Sequence, residues 1–453
     1  MEKQKPILSI SMLASDRMDT LPRCLESLRP IREAIPCELI VVNTCKNPEV
    51  QALIEKYADK MDTFEWCNDF AKARNVGVKM AEGEWFMFID DDEWFAEPEE
   101  LIEFFRSGEY REFGYASHRI KNFHDPEFKT YGYGWVSRLI KLEKDTAFHS
   151  KVHEYLAPYV GKCKKLYATS YHSGYIFKSK EAVQKHFDRN ASLLEKMELE
   201  EPDNLRWKVQ MMQEYRTISD YESLVSYGEK TLDALWSRKH SVNLLQFASI
   251  HIGYAIGLNQ SGKYEEVEKV YQKAQDVVKN TVFPQAYMEL CVAESYIHRE
   301  MYLQAKEHLE KYLELYNECQ KNPKKYENES TGIILVDVVD ERYVSKAYTI
   351  LLYAELCMGN DNALYELFPL LNWKKEDIKV FFEIETKILE TLIRLKDKEM
   401  LQTVMQLSLS SKNIRPHMMK AILDWQGKNR EEYIELLEVC KTLDIDSWYK
   451  EYA

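Results

Sequence analysis

A chain of 453 residues, 45% hydrophobic and 30% charged, has an ordinary globular composition and is long enough for two or three domains. The formal net charge of -14 excludes duplex nucleic acid as a partner, because binding along phosphates needs clustered Lys and Arg. Nine cysteines without a Cys-x-x-Cys, no leader segment and no run of ~20 apolar residues give the expectation of a cytoplasmic protein with no transmembrane segment.

Residues 6 to 175 alternate short apolar runs with helical stretches. Ile7 to Leu13 reads as a buried strand, and Leu21 to Arg29 as a helix entered through Asp19-Thr20 and Pro22. Glu38 to Asn43 reads as a second strand, Glu49 to Lys60 as a second helix, and Asn68 to Glu82 as a third helix stopped near Gly83. Trp85 to Ile89 is a third strand. This alternation predicts a parallel α/β sheet with its ligands beyond the carboxyl ends of the strands.

From about residue 181 the texture is almost purely helical. Tyr264, Val267 and Ala274 superpose on Tyr302, Ala305 and Tyr312, with earlier and later copies at Asp220-Tyr221 and Arg430 to Leu437. The turn Gly262-Lys263-Tyr264 resembles the one before the second helix of tetratricopeptide (TPR) repeats. Residues 317–336 read as a loop interrupting the helices. The division is therefore 1–180 for the α/β domain and 181–453 for an all-α, TPR-like domain.

The stretch from Asp69 to Trp94 carries the chemistry. An apolar strand ends in Asp90-Asp91-Asp92-Glu93, four acids whose mutual repulsion calls for a cation. A hard divalent ion, Mn²⁺ or Mg²⁺, suits carboxylate ligands shared with the diphosphate of a nucleotide. In an extended segment Asp90 and Asp92 point the same way and can share one ion.

At this point the sequence resembles the family-2 glycosyltransferases of the GT-A fold, a Rossmann-like nucleotide-diphospho-sugar transferase architecture. The matching residues are Ala73-Arg74-Asn75, Gly77, Ala81-Glu82-Gly83-Glu84-Trp85, Phe88-Ile89-Asp90 and Asp92, with Cys24-Leu25-Glu26-Ser27-Leu28 nearer the N-terminus. The resemblance implies a nucleoside-diphosphate sugar donor, a UDP-sugar above all. It places the metal on Asp90 and Asp92, and the nucleotide near Asp69, Arg74, Asp90 and Asp91. Asn43 stands where the family has an Asp that contacts the nucleoside, and an amide offers a different donor–acceptor pattern.

A second constellation is Phe148-His149-Ser150-Lys151-Val152-His153-Glu154, followed by Tyr171-His172-Ser173-Gly174-Tyr175. A zincin is excluded, since that motif is His-Glu-x-x-His. These segments resemble the Val-His-Glu and His-x-Gly-Tyr elements of family-2 enzymes with helical repeats, the sublancin-type bacterial peptide glycosyltransferases. That resemblance makes Glu154 the catalytic carboxylate and His172 a metal ligand. It also implies a peptide or protein acceptor and a homodimer contact through the repeats. Trp135-Val136-Ser137-Arg138 is read as lining the acceptor side. Two other readings stay open: a glycosyltransferase of surface polysaccharide or lipid-linked glycan, and a TPR-like binding or scaffold protein with an inactive transferase domain.

Overall fold

The computed structural model describes residues 5–129, 131–174, 176–177, 179–236, 243–326, 336–339, 341–371, 384–411, 414–426 and 434–443. The chain forms two compact units, Met1–Ile218 and Ser219–Ala453.

The first unit opens with β1 (Leu8–Ala14), α1 (Leu21–Ser27), α2 (Arg29–Ala34), β2 (Cys37–Asn43), α3 (Pro48–Tyr57), β3 (Lys60–Thr63), α4 (Phe70–Met80) and β4 (Trp85–Asp90). The helix expected at Leu21–Arg29 ends at Ser27, and α2 restarts with Pro30 in its first turn, where a missing N–H costs nothing. The helix expected over Glu49 to Lys60 ends at Tyr57, and Lys60 opens the short strand β3 instead. There follow β5 (Glu93–Glu97), α5 (Glu99–Arg106), β6 (Tyr115–Phe123), β7 (Tyr131–Lys141), β8 (Ala147–His149), β9 (Tyr155–Ala157) and β10 (Cys163–His172). Helices α6 (Lys180–Glu200) and α7 (Leu205–Thr217) complete the unit.

Eight strands form one sheet in the order β3-β2-β1-β4-β7-β6-β10-β5, and β8 pairs with β9 apart from it. The sheet is mixed rather than parallel throughout. Strands β3, β2, β1 and β4 run parallel, whereas β7 is antiparallel to both β4 and β6, and β5 is antiparallel to β10. The reason is local: β6 and β7 are joined without a crossover helix, and a direct connection reverses the chain. Strands β1 and β4 are buried on both faces, which is why β4 reads as an apolar run up to Asp90 and β1 as one interrupted only by the small Ser9 and Ser11. The core under α1 and α5 gathers Leu8, Ile10, Trp85, Met87, Phe104 and Leu139. Because β4 lies beside β1 in the sheet, the loop leaving β1 and the turn leaving β4 meet at the carboxyl ends of these strands, where Ser15, Arg17 and Thr20 contact Asp91 and Asp92.

The second unit is helical throughout its described residues. It contains α8 (Tyr221–Leu235), α9 (Leu244–Gln260), α10 (Tyr264–Val278), α11 (Phe283–His298), α12 (Tyr302–Lys321), α13 (Pro323–Tyr326), α14 (Glu341–Cys357), α15 (Asn362–Leu367), α16 (Ile384–Leu395), α17 (Lys398–Ser410), α18 (Arg415–Gln426) and α19 (Ile434–Thr442). The repeat alignment holds at three helix starts, Tyr221, Tyr264 and Tyr302. Two residues before each stands a left-handed residue: Ser219 at φ 57°, Gly262 at φ 73° and Glu300 at φ 57°. Only the middle copy has the glycine that this conformation favours. Helix α12 extends to Lys321, so the expected loop at 317–336 is helical over its first five residues; residues 327–335 lie outside those described. Of the copy expected at Arg430 to Leu437, residues 430–433 also lie outside them. No helix among the described residues is long and apolar enough to cross a membrane.

Candidate functional site

Asp90 is the last residue of β4, opposite Leu13 near the end of β1. Its carboxylate is held by two guanidinium groups: Arg74 Nη2 binds Oδ1, and Arg138 Nη2 lies 3.1 Å from Oδ2. Arg74 comes from α4, whose sheet-facing positions are otherwise small, Ala71, Ala73 and Gly77. Its Nε reaches Glu154 Oε1 at 2.5 Å, so one buried arginine bridges Asp90 and Glu154. Arg138, from β7, also holds Glu93 Oε1 at 2.5 Å, and Glu93 is only 1% exposed. Both guanidiniums lie over the Phe88 ring, at 5.1 and 4.4 Å from its centroid.

The electrostatics follow. Burial would raise the Asp90 carboxyl, but Arg74 and Arg138 outweigh it and hold the group well below the usual carboxylate range. Burial opposes the charge of Arg74, yet Asp90 and Glu154 more than compensate and strengthen its hold on the proton. Glu93 goes the other way: burial dominates over Arg138 and raises its carboxyl.

Beyond Asp90 the chain turns, and Asp91 and Asp92 face different partners. Asp91 Oδ2 accepts from the backbone N–H of Ser15 at 2.6 Å and from its hydroxyl at 2.7 Å. The Asp91 carbonyl accepts from Thr20 Oγ1 at 2.8 Å and Cys24 Sγ at 3.0 Å, fastening the turn to α1. Burial raises the Asp91 carboxyl. Asp92 pairs through Oδ2 with Arg17, in the loop after β1, and presents Oδ1 to His172 Nε2 at 3.5 Å. The other ring nitrogen of His172, Nδ1, lies 2.8 Å from Asn122 Oδ1. An amide oxygen only accepts, so Nδ1 is the donor of this hydrogen bond and Nε2 is the nitrogen that faces Asp92. Burial lowers the His172 pKa against the pull of Glu93 and Asp90. A Cβ on Gly174 would stand 2.3 Å from His172 Nε2 and 2.7 Å from Asp92 Oδ2. The glycine leaves the space between these two groups clear.

Asp92 and His172 present an oxygen and a ring nitrogen to one another, a donor pair of the kind divalent cations use, but Arg17 already balances the Asp92 carboxylate, so an ion here would have to displace that guanidinium or share the carboxylate with it. Among the described residues no group of three or more His, Cys, Asp or Glu is placed to hold an ion, so a cation here would draw its remaining ligands from substrate and water.

Of the residues singled out in the sequence, the structure thus brings Arg74, Asp90 and Glu154 into one network and Asp91, Asp92 and His172 beside it. Asp90 and Asp92 are divided between two sets of partners, because the extended conformation ends at Asp90. Asn43 and Asp69 are occupied locally. Asn43 Oδ1 accepts from Cys45 N at 3.0 Å and Nδ2 donates to Gln51 at 2.9 Å. Asp69 caps α4 by accepting from Lys72 N at 2.9 Å. Arg138, expected to line the acceptor side, turns its guanidinium to Asp90 and Glu93 instead. Arg17 and Asn122 carry no sequence signal of their own; the run Asp90-Asp91-Asp92-Glu93, with its excess of carboxylates over nearby cations, is the one sign in the sequence that cations converge here.

A curled, mixed Rossmann-like sheet with an acid cluster at the carboxyl end of its fourth strand is the architecture of a GT-A domain. Residues 9–174 match the model of Glycosyl transferase family 2, and the chain carries a domain of that family. Over 238 residues it is 24% identical to the SPbeta prophage-derived glycosyltransferase SunS of Bacillus subtilis strain 168, covering 50% of this chain and 54% of that protein. The glycosyltransferase SunS of Bacillus phage SPbeta matches to the same extent. The chain thus spans about half the length of these curated relatives. A TPR repeat-containing protein of Synechococcus elongatus is 33% identical over 86 residues, 19% of this chain and 20% of that one. The apo form of RapI covers 59% of this chain and 89% of its own at 15% identity, and its TM-score of 0.34 is too low to argue from.

Proposed function

We propose that this chain is a metal-dependent, inverting glycosyltransferase that moves one hexose or hexosamine from a nucleoside-diphosphate sugar, a UDP-sugar by family habit, to a side chain of a peptide or protein. The observation that carries the reading is the bridge Glu154–Arg74–Asp90 at the carboxyl end of β4, inside the family 2 domain. In this reading the transferase fold occupies residues 1–180 and the TPR-like domain residues 181–453.

The chemistry asks for a base, a positioned leaving group and a dry site. The Glu154 carboxylate takes the proton of the acceptor nucleophile as that atom bonds to the anomeric carbon. The bond from that carbon to the diphosphate oxygen breaks, and its electron pair leaves with the nucleoside diphosphate. Arg74 fixes the orientation of Glu154 and ties it to Asp90, so base and acid cluster keep one geometry. A divalent cation held by Asp92 and His172 would supply the charge that stabilises the departing diphosphate. Asp69, Asp91 and Asn43 border the nucleotide in this reading.

The peptide acceptor is supported by the helical repeats, since stacked helical hairpins characteristically bind extended partners. A homodimer through those repeats and a cytoplasmic location, in keeping with nine free cysteines, belong to the same reading. The test is Glu154→Gln in the whole chain, assayed for donor binding and for transfer. Donor affinity should stay within about twofold while turnover falls by ~10²–10⁴. Unchanged turnover would place the base elsewhere.

A further inference from the structure

The segment carrying Glu154 is strained and is held from outside the region that matches family 2. Ser150 at φ 79° and His153 at φ 48° are both left-handed, a conformation that non-glycine residues keep only when their surroundings enforce it. The enforcement comes from α6 and α7, within the same compact unit. Arg206 of α7 donates from Nη2 to the His153 carbonyl at 2.8 Å. Glu214, eight positions further along the same helix, takes the His153 side chain, with Oε1 3.2 Å from Nε2. The Arg206 guanidinium also lies over the Tyr155 ring, 4.9 Å from its centroid. Both neighbours of Glu154 are therefore gripped by α7, and Glu154 itself reaches Arg74.

The grip has a second layer. Glu214 is 4% exposed, and Asn190 of α6 donates to its Oε1 at 2.8 Å. Burial opposes the charge of Glu214, but the hydrogen bonds from His153 and Asn190 outweigh it and keep the carboxyl below its ordinary range. His186 of α6 stands with Nδ1 3.8 Å from Glu214 Oε2, and Lys151 pairs with Glu200 of α6. A carboxylate buried this deeply is costly unless satisfied; Oε1 is shared by His153 of the loop and Asn190 of α6, while Oε2 has His186 at 3.8 Å, so loss of the His153 contact would be costly.

We infer that Arg206 and Glu214 are positioning residues for Glu154, so that the α6–α7 pair completes the reaction centre of the family 2 domain. The inference rests on the reading of Glu154 as the base. It separates the helical region into a first pair that serves the chemistry and the repeats from α8 onward.

The test uses the full chain with Glu214→Ala, Glu214→Gln and Arg206→Met, and two readouts. Backbone hydrogen exchange at residues 150–154 needs no turnover. Glu214→Ala should speed it by about tenfold or more, the loss of a hydrogen bond to a buried charge, with β4 unaffected. Transfer should fall by ~10–100-fold with the donor KM within about twofold, the signature of a misplaced base. Glu214→Gln should restore most of both, since its amide oxygen still accepts from His153. Should Glu214→Ala not fold, Arg206→Met removes the carbonyl contact and the guanidinium over Tyr155 while leaving Glu214 in place, and carries the same expectation. Exchange at 150–154 equal to that of the unaltered chain would overturn the inference, as would a loss of turnover in which exchange is unchanged. If instead Glu154→Gln transfers at full rate, the base assignment fails, and the exchange data still decide whether α7 holds the segment.

Discussion

His172 Nε2 faces Asp92 Oδ1 at 3.5 Å, with the ring set in that direction by Asn122 on the neighbouring strand. A metal-binding histidine depends on the acceptor at its other nitrogen, which fixes tautomer and orientation. Asn122→Ala should therefore weaken metal-dependent nucleotide binding by ~10–100-fold, measured by titrating Mn²⁺ at fixed nucleotide. Retention of full affinity would remove His172 from the metal site.

Gly174→Ala tests the same space by filling it. The added methyl would come within 2.3 Å of His172 Nε2 and 2.7 Å of Asp92 Oδ2, so the ring or the carboxylate has to move. Calorimetry should show metal-dependent nucleotide binding reduced at least about tenfold, with little change in thermal stability because the residue lies at the site and not in the core. Binding equal to that of the unaltered chain would show that this gap is not used.

Arg138 is the only ion-pair partner the described structure gives Glu93, and Asp90 leans on it as well. Replacing it with Met leaves an almost fully buried carboxylate without its cation, a change that typically costs ~3–5 kcal/mol. Urea denaturation at pH 7 should show a loss of that order, partly recovered by adding Glu93→Gln. A loss below about 1 kcal/mol would mean that the pair is not desolvated.

His118 gives the protein a specific acid sensitivity. Buried between Phe95 and Ser170, it has its pKa brought down by burial and by Arg138, from 6.5 to about 3. The unfolded chain takes up this proton near pH 6.5 and the folded one only near pH 3. Between those values the unfolded state binds more protons, so stability is full above pH 6.5 and declines as the pH falls toward 3. The difference is on the order of 5 kcal/mol. His118→Gln keeps a hydrogen-bonding group but does not titrate. Its denaturation midpoint should fall less steeply between pH 6.5 and 4 than that of the unaltered chain, and parallel curves would contradict this assignment.

What the sequence disclosed follows the range of the forces involved. Strands β1, β2 and β4 are legible because both faces are buried and mostly apolar, and α4 because Asp69 caps it. Strands β5 to β10 were not, because their half-exposed residues mix aromatic, basic and polar types without clean alternation. The repeat was legible in the tyrosines that open α8, α10 and α12. It was blurred because Ser219 and Glu300 occupy left-handed positions that Gly262 alone marks in sequence. Arg74, Asp90 and Glu154 could be named in advance as types in a motif. That Arg74 joins the other two, across 16 and 80 positions, is a property of the folded chain. The grip of α7 on His153 was invisible for the same reason, since Glu214 lies 61 residues away.

The most direct measurement is calorimetric titration of UDP, GDP, dTDP and their common sugar conjugates into the purified full chain, with and without Mn²⁺, alongside Asp92→Ala. The account predicts that one nucleotide binds, that binding requires the metal, and that Asp92→Ala abolishes it while the fold remains. Absence of binding to every nucleotide would contradict it and leave a repeat protein with an inactive transferase domain, and tight binding indifferent to both metal and Asp92→Ala would refute the metal site.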